Sequence, residues 1–158
     1  MNQFKIGGRI VLIDDEDLEL FHRHKWHLNN SSLRHPYLVR REKVNGKIVG
    51  FVFHREALGT PKGRFVDHIN CDTLDNRRTN LRECTHAENM RNRRLSVKST
   101  TGYKGVSLDR NRPDKPYAAH IKVNKKTVHL GRFTTAEQAH EAYVAAAKDL
   151  HGEFARTS

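Results

Sequence analysis

A stretch rich in Ser, Thr and Gly, residues 96–102 (SVKSTTG), divides the 158-residue chain into two segments of different character. A basic, helical pattern precedes this stretch, and a strand-rich pattern follows it. Segments of this size bury small cores under a large surface, which suits a composition of 36% hydrophobic and 30% charged residues. We therefore expect small modules rather than one large core.

The first 63 residues predict a β-rich segment. Residues 9–13 alternate as a short strand does and precede a short amphipathic helical pattern. Residues 37–44 and 47–53 predict a hairpin, because the Asn45-Gly46 pair between them is a strong turn signal.

The next segment predicts the order strand, long polar loop, strand, helix. Residues 64–69 and 81–84 form the two strand patterns. Thr85 and Glu88 have the spacing of a capping box, which predicts that a helix starts there.

The last segment predicts three short strands and one helix. In the run 117–123 (YAAHIKV), apolar residues alternate with polar ones, and residues 127–133 (TVHLGRF) alternate similarly. Small and apolar residues recur at helical spacing from 136 to 150. The expected fold class is α+β, ending in a three-stranded antiparallel sheet packed on one helix.

The charge of the chain indicates a polyanionic partner. A formal net charge of +11, from 29 Lys and Arg against 18 Asp and Glu, is typical of nucleic-acid binding. No apolar run is long enough to span a membrane, so no membrane partner is expected. Cys71 and Cys84 form no CxxC pair, which argues against structural zinc and fits a reducing cytoplasm.

Four polar residues between 67 and 89 have the chemistry needed to cut a phosphodiester. Asp67 and Asn89 offer hard oxygen donors that suit one Mg²⁺ or Mn²⁺ ion. A neutral His68 can take a proton from water. Asp67 and His68 are adjacent on a strand, so a bend or bulge is expected if they serve one site. Asn80 is better placed to bridge backbone groups across the loop and orient His68.

The order and spacing of Asp67-His68, Asn80 and Asn89 resemble the HNH endonucleases, particularly their phage and intron-encoded homing members. The resemblance implies a ββα-metal fold, His68 as general base, Asp67 and Asn89 as ligands of a single metal, and Asn80 as the central structural Asn. It also implies products with 5′-phosphate and 3′-hydroxyl ends. Arginines around this motif are expected to contact the DNA backbone: Arg77, Arg78, Arg91, Arg93 and Arg94.

Residues 100–156, with GYKGV and HLGRFTTAEQAHEAYVAAA, are similar to the Apetala-2/ethylene-response-factor DNA-binding domain. In that family the exposed face of the sheet enters the major groove. The resemblance implies DNA contact by the residues at the corresponding positions: Lys104, Ser107, Arg110, Arg112, His120, Lys122, Thr127 and His129.

The sequence thus predicts a lead-in to the nuclease (1–63), an HNH motif (64–98) and a DNA-binding domain (99–158). The expected function is site-specific, metal-dependent cleavage of double-stranded DNA by a monomer or weak dimer, in the cytoplasm of a bacterial host if the gene belongs to a phage. A monomer with one site would nick one strand. A non-catalytic DNA-binding regulator and an RNA-binding or RNA-cutting protein remain alternatives. Four histidines receive no assigned role: His22, His24, His27 and His54.

Overall fold

The computed structural model describes residues 2–29, 35–96 and 99–157. Helices and strands are mixed along the chain, which confirms the α+β class expected from the sequence. The chain forms two compact units, residues 1–89 and 90–158. The two boundaries drawn from the sequence, between residues 63 and 64 and between residues 98 and 99, stay predictions.

The first unit begins with a hairpin whose first strand the sequence did not predict. Strand β1 (Asn2–Ile6) pairs antiparallel with β2 (Arg9–Ile13). The β1 sequence, NQFKI, holds only two large apolar residues, Phe4 and Ile6, and both pack against the core of the unit. A strand with so few apolar residues gives a weak alternation signal.

A three-stranded sheet follows, in the order β3-β4-β5. A short helix α1 (Leu18–Arg23) precedes β3 (His27–Leu28), and the strands β4 (Leu38–Val44) and β5 (Lys47–Val52) form the hairpin expected around Asn45-Gly46. Both turn residues have positive φ, 49° and 78°, as a tight hairpin turn requires.

The chain leaves β5 in a one-turn helix, α2 (Phe53–Ala57), where the sequence predicted that the strand continues to residue 53. Phe53 is fully buried in the core of the unit, beside Val11, Ile13 and Leu38. Burial of this ring at the end of the strand fixes the first residue of the helix, and α2 places His54 directly after it.

The strand, loop, strand and helix predicted from residue 64 onward are present. Strand β6 (Phe65–His68) pairs antiparallel with β7 (Leu81–Cys84), and α3 (His86–Asn92) follows. Thr85 and Glu88 form the expected capping box, since Thr85 N donates to Glu88 Oε2 at 2.7 Å and Glu88 N donates to Thr85 Oγ1 at 3.3 Å.

The second unit contains the predicted sheet and helix. Strands β8 (Val106–Leu108), β9 (Tyr117–Val123) and β10 (Lys126–Phe133) form an antiparallel sheet in the order β10-β9-β8. Helix α4 (Ala136–His151) packs its small residues against this sheet, and Ile121, Tyr143 and Ala147 form the core. Gly105 has a φ of 75°, and a Cβ at that position would overlap the ring of Tyr143.

No helix among the described residues is long and apolar enough to cross a membrane.

Candidate functional site

The β6–β7 ribbon carries the Asp-His pair. Its register places Asp67 opposite Arg82 and His68 opposite Leu81, without interruption from Phe65 onward. The bend or bulge expected from the sequence is therefore not seen among these paired residues. The side chains of Asp67 and His68 are nonetheless both buried, with 4% and 5% of their surface exposed.

Asp67 is held by its cross-strand neighbour. Arg82 donates to Asp67 Oδ2 from Nε at 3.0 Å and from Nη2 at 2.8 Å. The guanidinium compensates the charge of this buried carboxylate, which would otherwise be costly to remove from water. The site thus holds Asp67 in a buried ion pair with Arg82.

Three aromatic rings meet at His68. The ring centroid of His54 lies 4.8 Å from that of His68, and the planes are nearly perpendicular at 83°. The Tyr37 ring lies 5.3 Å from His54 and 6.2 Å from His68. His54 is buried, whereas Tyr37 is 37% exposed, so the cluster reaches the surface at Tyr37. We call Tyr37, His54 and His68 the three-ring cluster.

Burial keeps both imidazoles of the three-ring cluster neutral. Desolvation is the main cause that lowers the pKa of His54 to about 3, and nearby His68 lowers it further. Desolvation also lowers the pKa of His68, although the nearby Asn76 side chain and the charge of Asp67 oppose this. At neutral pH His68 is therefore an imidazole that can accept a proton.

The pKa of Tyr37 is raised, first by desolvation and then by the negative charge of Asp67. The electrostatic influence of Asp67 on both Tyr37 and His68 indicates that its carboxylate lies close to the cluster.

The loop between β6 and β7 is closed by Asn80. Its Oδ1 accepts from Asn70 N at 3.0 Å, and its Nδ2 donates to the carbonyl of Asp75 at 2.8 Å. The backbone carbonyl of Asn80 also accepts from Ile69 N at 2.9 Å, directly after His68. Asn80 therefore ties the two ends of the loop together, and its role in orienting His68 stays a prediction.

The other side of the loop is attached to strand β2. Leu12 N donates to the Leu74 carbonyl, and Asn76 N donates to the Leu12 carbonyl, both at 2.9 Å. Asp75 and Asn76 between these bonds are buried, with 2% and 0% of their surface exposed. The N-terminal hairpin thus fixes the loop that ends at Asn80.

The donors expected for a metal suit a hard cation. Asn89 is half-buried on α3, and its amide oxygen and the Asp67 carboxylate are the ligand types that Mg²⁺ prefers. Among the described residues, no group of three or more His, Cys, Asp or Glu side chains could hold a metal ion. The donor set therefore fits a cation held largely by water and phosphate oxygens, which is common for Mg²⁺, and does not fit a protein cage.

Two arginines of the first unit are engaged in ion pairs. Arg77 Nη2 lies 2.6 Å from Asp75 Oδ2, and Arg78 Nη2 lies 2.7 Å from Asp17 Oδ1. Arg78 Nη2 also donates to the carbonyl of Ala57 at 2.7 Å. Both side chains thus make ion pairs within the fold. Their contact with DNA stays a prediction.

Lys104 contacts the main chain of two arginines of the second unit. Its Nζ donates to the carbonyls of Arg91 and Arg93, at 2.7 and 2.8 Å. The side chains of Arg93 and Arg94 are exposed, whereas Arg91 is half-buried. Lys104 thus binds the end of α3, and its expected contact with DNA stays a prediction.

The sheet of the second unit presents cross-strand rows on the face opposite α4. The register pairs Lys122 with Thr127 and His120 with His129. Arg110 and Arg112 are exposed in the segment after β8. This face carries the polar residues that the sequence placed there, and its binding to DNA stays a prediction.

Arg132 belongs to the same face, although the sequence did not point to it. The register pairs it with Ala118, which pairs in turn with Ser107. A register shift between His129 and Gly131 interrupts the alternation of side chains along β10. Strict alternation counted from Thr127 would therefore place Arg132 on the wrong face of the sheet. Asp109 Oδ2 accepts from Arg132 Nη2 at 2.8 Å.

Comparison with known proteins agrees with the first of the two resemblances. Residues 53–91 match the family model described as HNH endonuclease. Over 148 residues the chain is 27% identical to an uncharacterized HNH endonuclease of Acanthamoeba polyphaga mimivirus, an overlap that covers 94% of this chain and 74% of the viral protein. No solved structure matches the chain. Residues 53–91, which include the Asp-His pair, Asn80 and Asn89, are thus similar to HNH endonucleases.

Proposed function

We propose that the chain is a metal-dependent DNA endonuclease that hydrolyses a phosphodiester with His68 as general base. The similarity of residues 53–91 to HNH endonucleases supports this function. The observation that carries it is the buried, neutral His68 next to Asp67, a buried carboxylate paired with Arg82. Metal-assisted hydrolysis of a phosphodiester requires a base and a hard metal ligand near the same phosphate, and the charge of Asp67 acts on His68.

In this mechanism, His68 accepts a proton from the water that attacks the phosphorus. Asp67 and Asn89 would hold a divalent cation, Mg²⁺ or Mn²⁺, which when bound supplies positive charge at the phosphate and at the departing oxygen. Asn80 keeps the loop closed behind His68, so the imidazole stays at a fixed position. Burial excludes bulk water, which strengthens the electrostatic contribution of each charged group.

The second unit would place the cut by binding duplex DNA with the face of its sheet. The net charge of +11 supports a polyanionic partner. The proposed contacts are the exposed arginines after α3 and the polar rows of the sheet. One site per chain would cut one strand, so a monomer is expected to nick.

A plasmid-nicking assay in Mg²⁺ tests this function. We expect His68→Ala to lower the nicking rate about 100- to 10,000-fold, while DNA binding, measured by mobility shift, is unchanged. His27→Ala is the matched control, since His27 is exposed and distant in sequence from the site. Nicking by His68→Ala at the wild-type rate would contradict the proposal.

One observation favours a second candidate, a DNA-binding regulator that does not cut. Arg82 occupies Asp67 Oδ2 with two hydrogen bonds, and a guanidinium at that carboxylate competes with a cation for it. Tight binding of duplex DNA with no cleavage in Mg²⁺, Mn²⁺ or any other divalent metal would favour the regulator. Stronger competition by duplex RNA than by duplex DNA would instead indicate an RNA partner.

A further inference from the structure

Helix α2, which carries His54, is held in place by contacts with several other parts of the first unit. Phe53, directly before it, is fully buried in the core. Arg40 donates to both carboxylate oxygens of Glu56, at 3.0 and 2.7 Å. Arg78 donates to the Ala57 carbonyl at 2.7 Å. Helix α2 is thus attached on three sides, and the His54 ring has little freedom to move.

The contact between His54 and His68 is made by the rings. Nδ1 of His54 is buried and has no hydrogen-bond partner within the part of the chain that the structure describes. The two rings meet edge to face, an arrangement that aromatic pairs prefer. Tyr37 lies against both rings from the exposed side. His68 is therefore bounded by one rigid inner ring and one outer ring.

We propose that His54 is a positioning residue for His68, and that the edge-to-face contact of its ring, rather than a hydrogen bond from its nitrogens, holds the His68 imidazole in the orientation that takes the proton from water. The proposal rests on the function proposed above. Catalysis depends steeply on such placement, since an error of about 1 Å can reduce a rate about 100-fold. The neutral state of His54 supports this role, because a charged neighbour would repel the imidazolium that forms on His68.

Substitutions that keep or remove the ring test the proposal. We expect His54→Phe, which keeps an aromatic ring, to nick supercoiled plasmid within about threefold of the wild-type maximal rate. His54→Leu keeps much of the buried volume but lacks the ring, and should lower the maximal rate about 10- to 100-fold. The protein concentration that gives half the maximal rate should not change in either variant, because His54 is buried and lies outside the proposed DNA-binding surface.

A double-mutant cycle separates positioning from general loss of structure. In a His68→Ala background, His54→Leu should lower the residual rate by less than about twofold, since no imidazole remains to be positioned. An equal loss in both backgrounds would overturn the proposal, as would a His54→Phe variant as slow as His54→Leu. Thermal unfolding of each variant verifies that it is folded.

The side-chain ¹⁵N spectrum of His68 gives a readout that needs no activity. We expect one imidazole tautomer in the wild type and in His54→Phe, and a mixture of two in His54→Leu. Tyr37→Leu, which opens no buried cavity, should also broaden the His68 signals, with Tyr37→Phe as its matched control. Unchanged His68 signals in both leucine variants would overturn the proposal. If His68→Ala alone nicks normally, the proposed function fails, and these spectra still decide the role of His54.

Discussion

Arg82 donates two hydrogen bonds to a single carboxylate oxygen of Asp67, from Nε at 3.0 Å and from Nη2 at 2.8 Å. The two residues are direct partners across the β6–β7 ribbon, and their side chains are 12% and 5% exposed. The fold therefore supplies its own cation to the carboxylate proposed to bind a metal. A divalent cation bound at Asp67 would share this carboxylate with the guanidinium of Arg82 or replace the guanidinium.

Replacing Arg82 should make the first unit depend on metal. We expect Arg82→Gln to lose about 3 kcal/mol of unfolding free energy, because a buried carboxylate loses its ion-pair partner. Mg²⁺ should raise the melting temperature of this variant more than that of the wild type, since the cation takes over the missing charge. The measurement is thermal unfolding with and without Mg²⁺. The double variant Asp67→Asn, Arg82→Gln is the control and should show no added response; equal Mg²⁺ shifts in Arg82→Gln and wild type would count against a metal at Asp67.

Asn80 should contribute to stability through the two ends of its amide. Asn80→Ala removes the acceptor for Asn70 N and the donor to the Asp75 carbonyl, within a side chain that is only 7% exposed. We expect a loss of about 2–4 kcal/mol, because the buried Asp75 carbonyl and the partly buried Asn70 amide lose their partners. Urea unfolding measures this loss. Asn111→Ala, at an exposed position, should change stability little, and comparable losses in the two variants would show that the bridge is unimportant.

Local signals in the sequence predicted most of the helices and strands, although they did not predict β1 or α2. The Asn45-Gly46 turn and the Thr85 and Glu88 capping box depend on neighbouring residues alone, and both are present. The spacing of polar residues from Asp67 onward also identified the loop that Asn80 closes. These features are readable because their physical causes lie within a few residues of one another.

Contacts between distant segments could not be read in the same way. The three-ring cluster brings together side chains from β4's lead-in, α2 and β6, so that nothing local to His54 distinguishes it from a surface histidine. Arg78 illustrates the same limit for charge. Its charge suggested contact with a DNA phosphate, which stays a prediction, whereas its bond within the fold to Asp17, 61 residues away in sequence, was not predicted.

Substitutions of Arg78 and of Arg93 should therefore have different effects, the first on stability and the second on DNA binding. Arg78→Gln should lose about 2–3 kcal/mol of stability, because Asp17 is 3% exposed and loses its guanidinium, whereas the partial exposure of Arg78 moderates the loss. Arg93→Gln, at an exposed position, should leave stability unchanged and weaken DNA binding. Thermal unfolding and a DNA titration measure the two effects. If Arg78→Gln weakened DNA binding without loss of stability and Arg93→Gln did not weaken it, the phosphate contact would be assigned to Arg78.

The face of the sheet in the second unit should dominate the salt dependence of DNA binding. We expect Lys122→Ala to reduce the slope of log K against log salt concentration by about 0.9, the contribution of one phosphate contact. Lys148→Ala removes the same charge from an exposed position on α4 and should leave the slope nearly unchanged. Fluorescence anisotropy at several salt concentrations gives both slopes. Equal reductions would indicate that total charge, rather than the sheet face, governs binding.

His54 should make the first unit sensitive to acid. Its pKa is about 3 in the folded protein, whereas an unfolded histidine has a pKa near 6.5, so the unfolded chain binds the extra proton between these values. Stability should then fall as the pH drops below about 6.5, by up to about 1.4 kcal/mol per pH unit. His54→Phe cannot bind this proton, and it also removes a buried nitrogen without a hydrogen-bond partner among the described residues. We therefore expect its unfolding free energy to match or exceed that of the wild type at pH 7. The advantage of the variant over the wild type should be about 2–3 kcal/mol larger at pH 4.5 than at pH 7.

Urea unfolding between pH 4.5 and pH 7 measures the difference, and His27→Gln, which replaces an exposed histidine, should follow the wild-type curve. If the unfolding free energies of His54→Phe and the wild type depended on pH in the same way, water would reach the imidazole of His54, and this ring would not be buried.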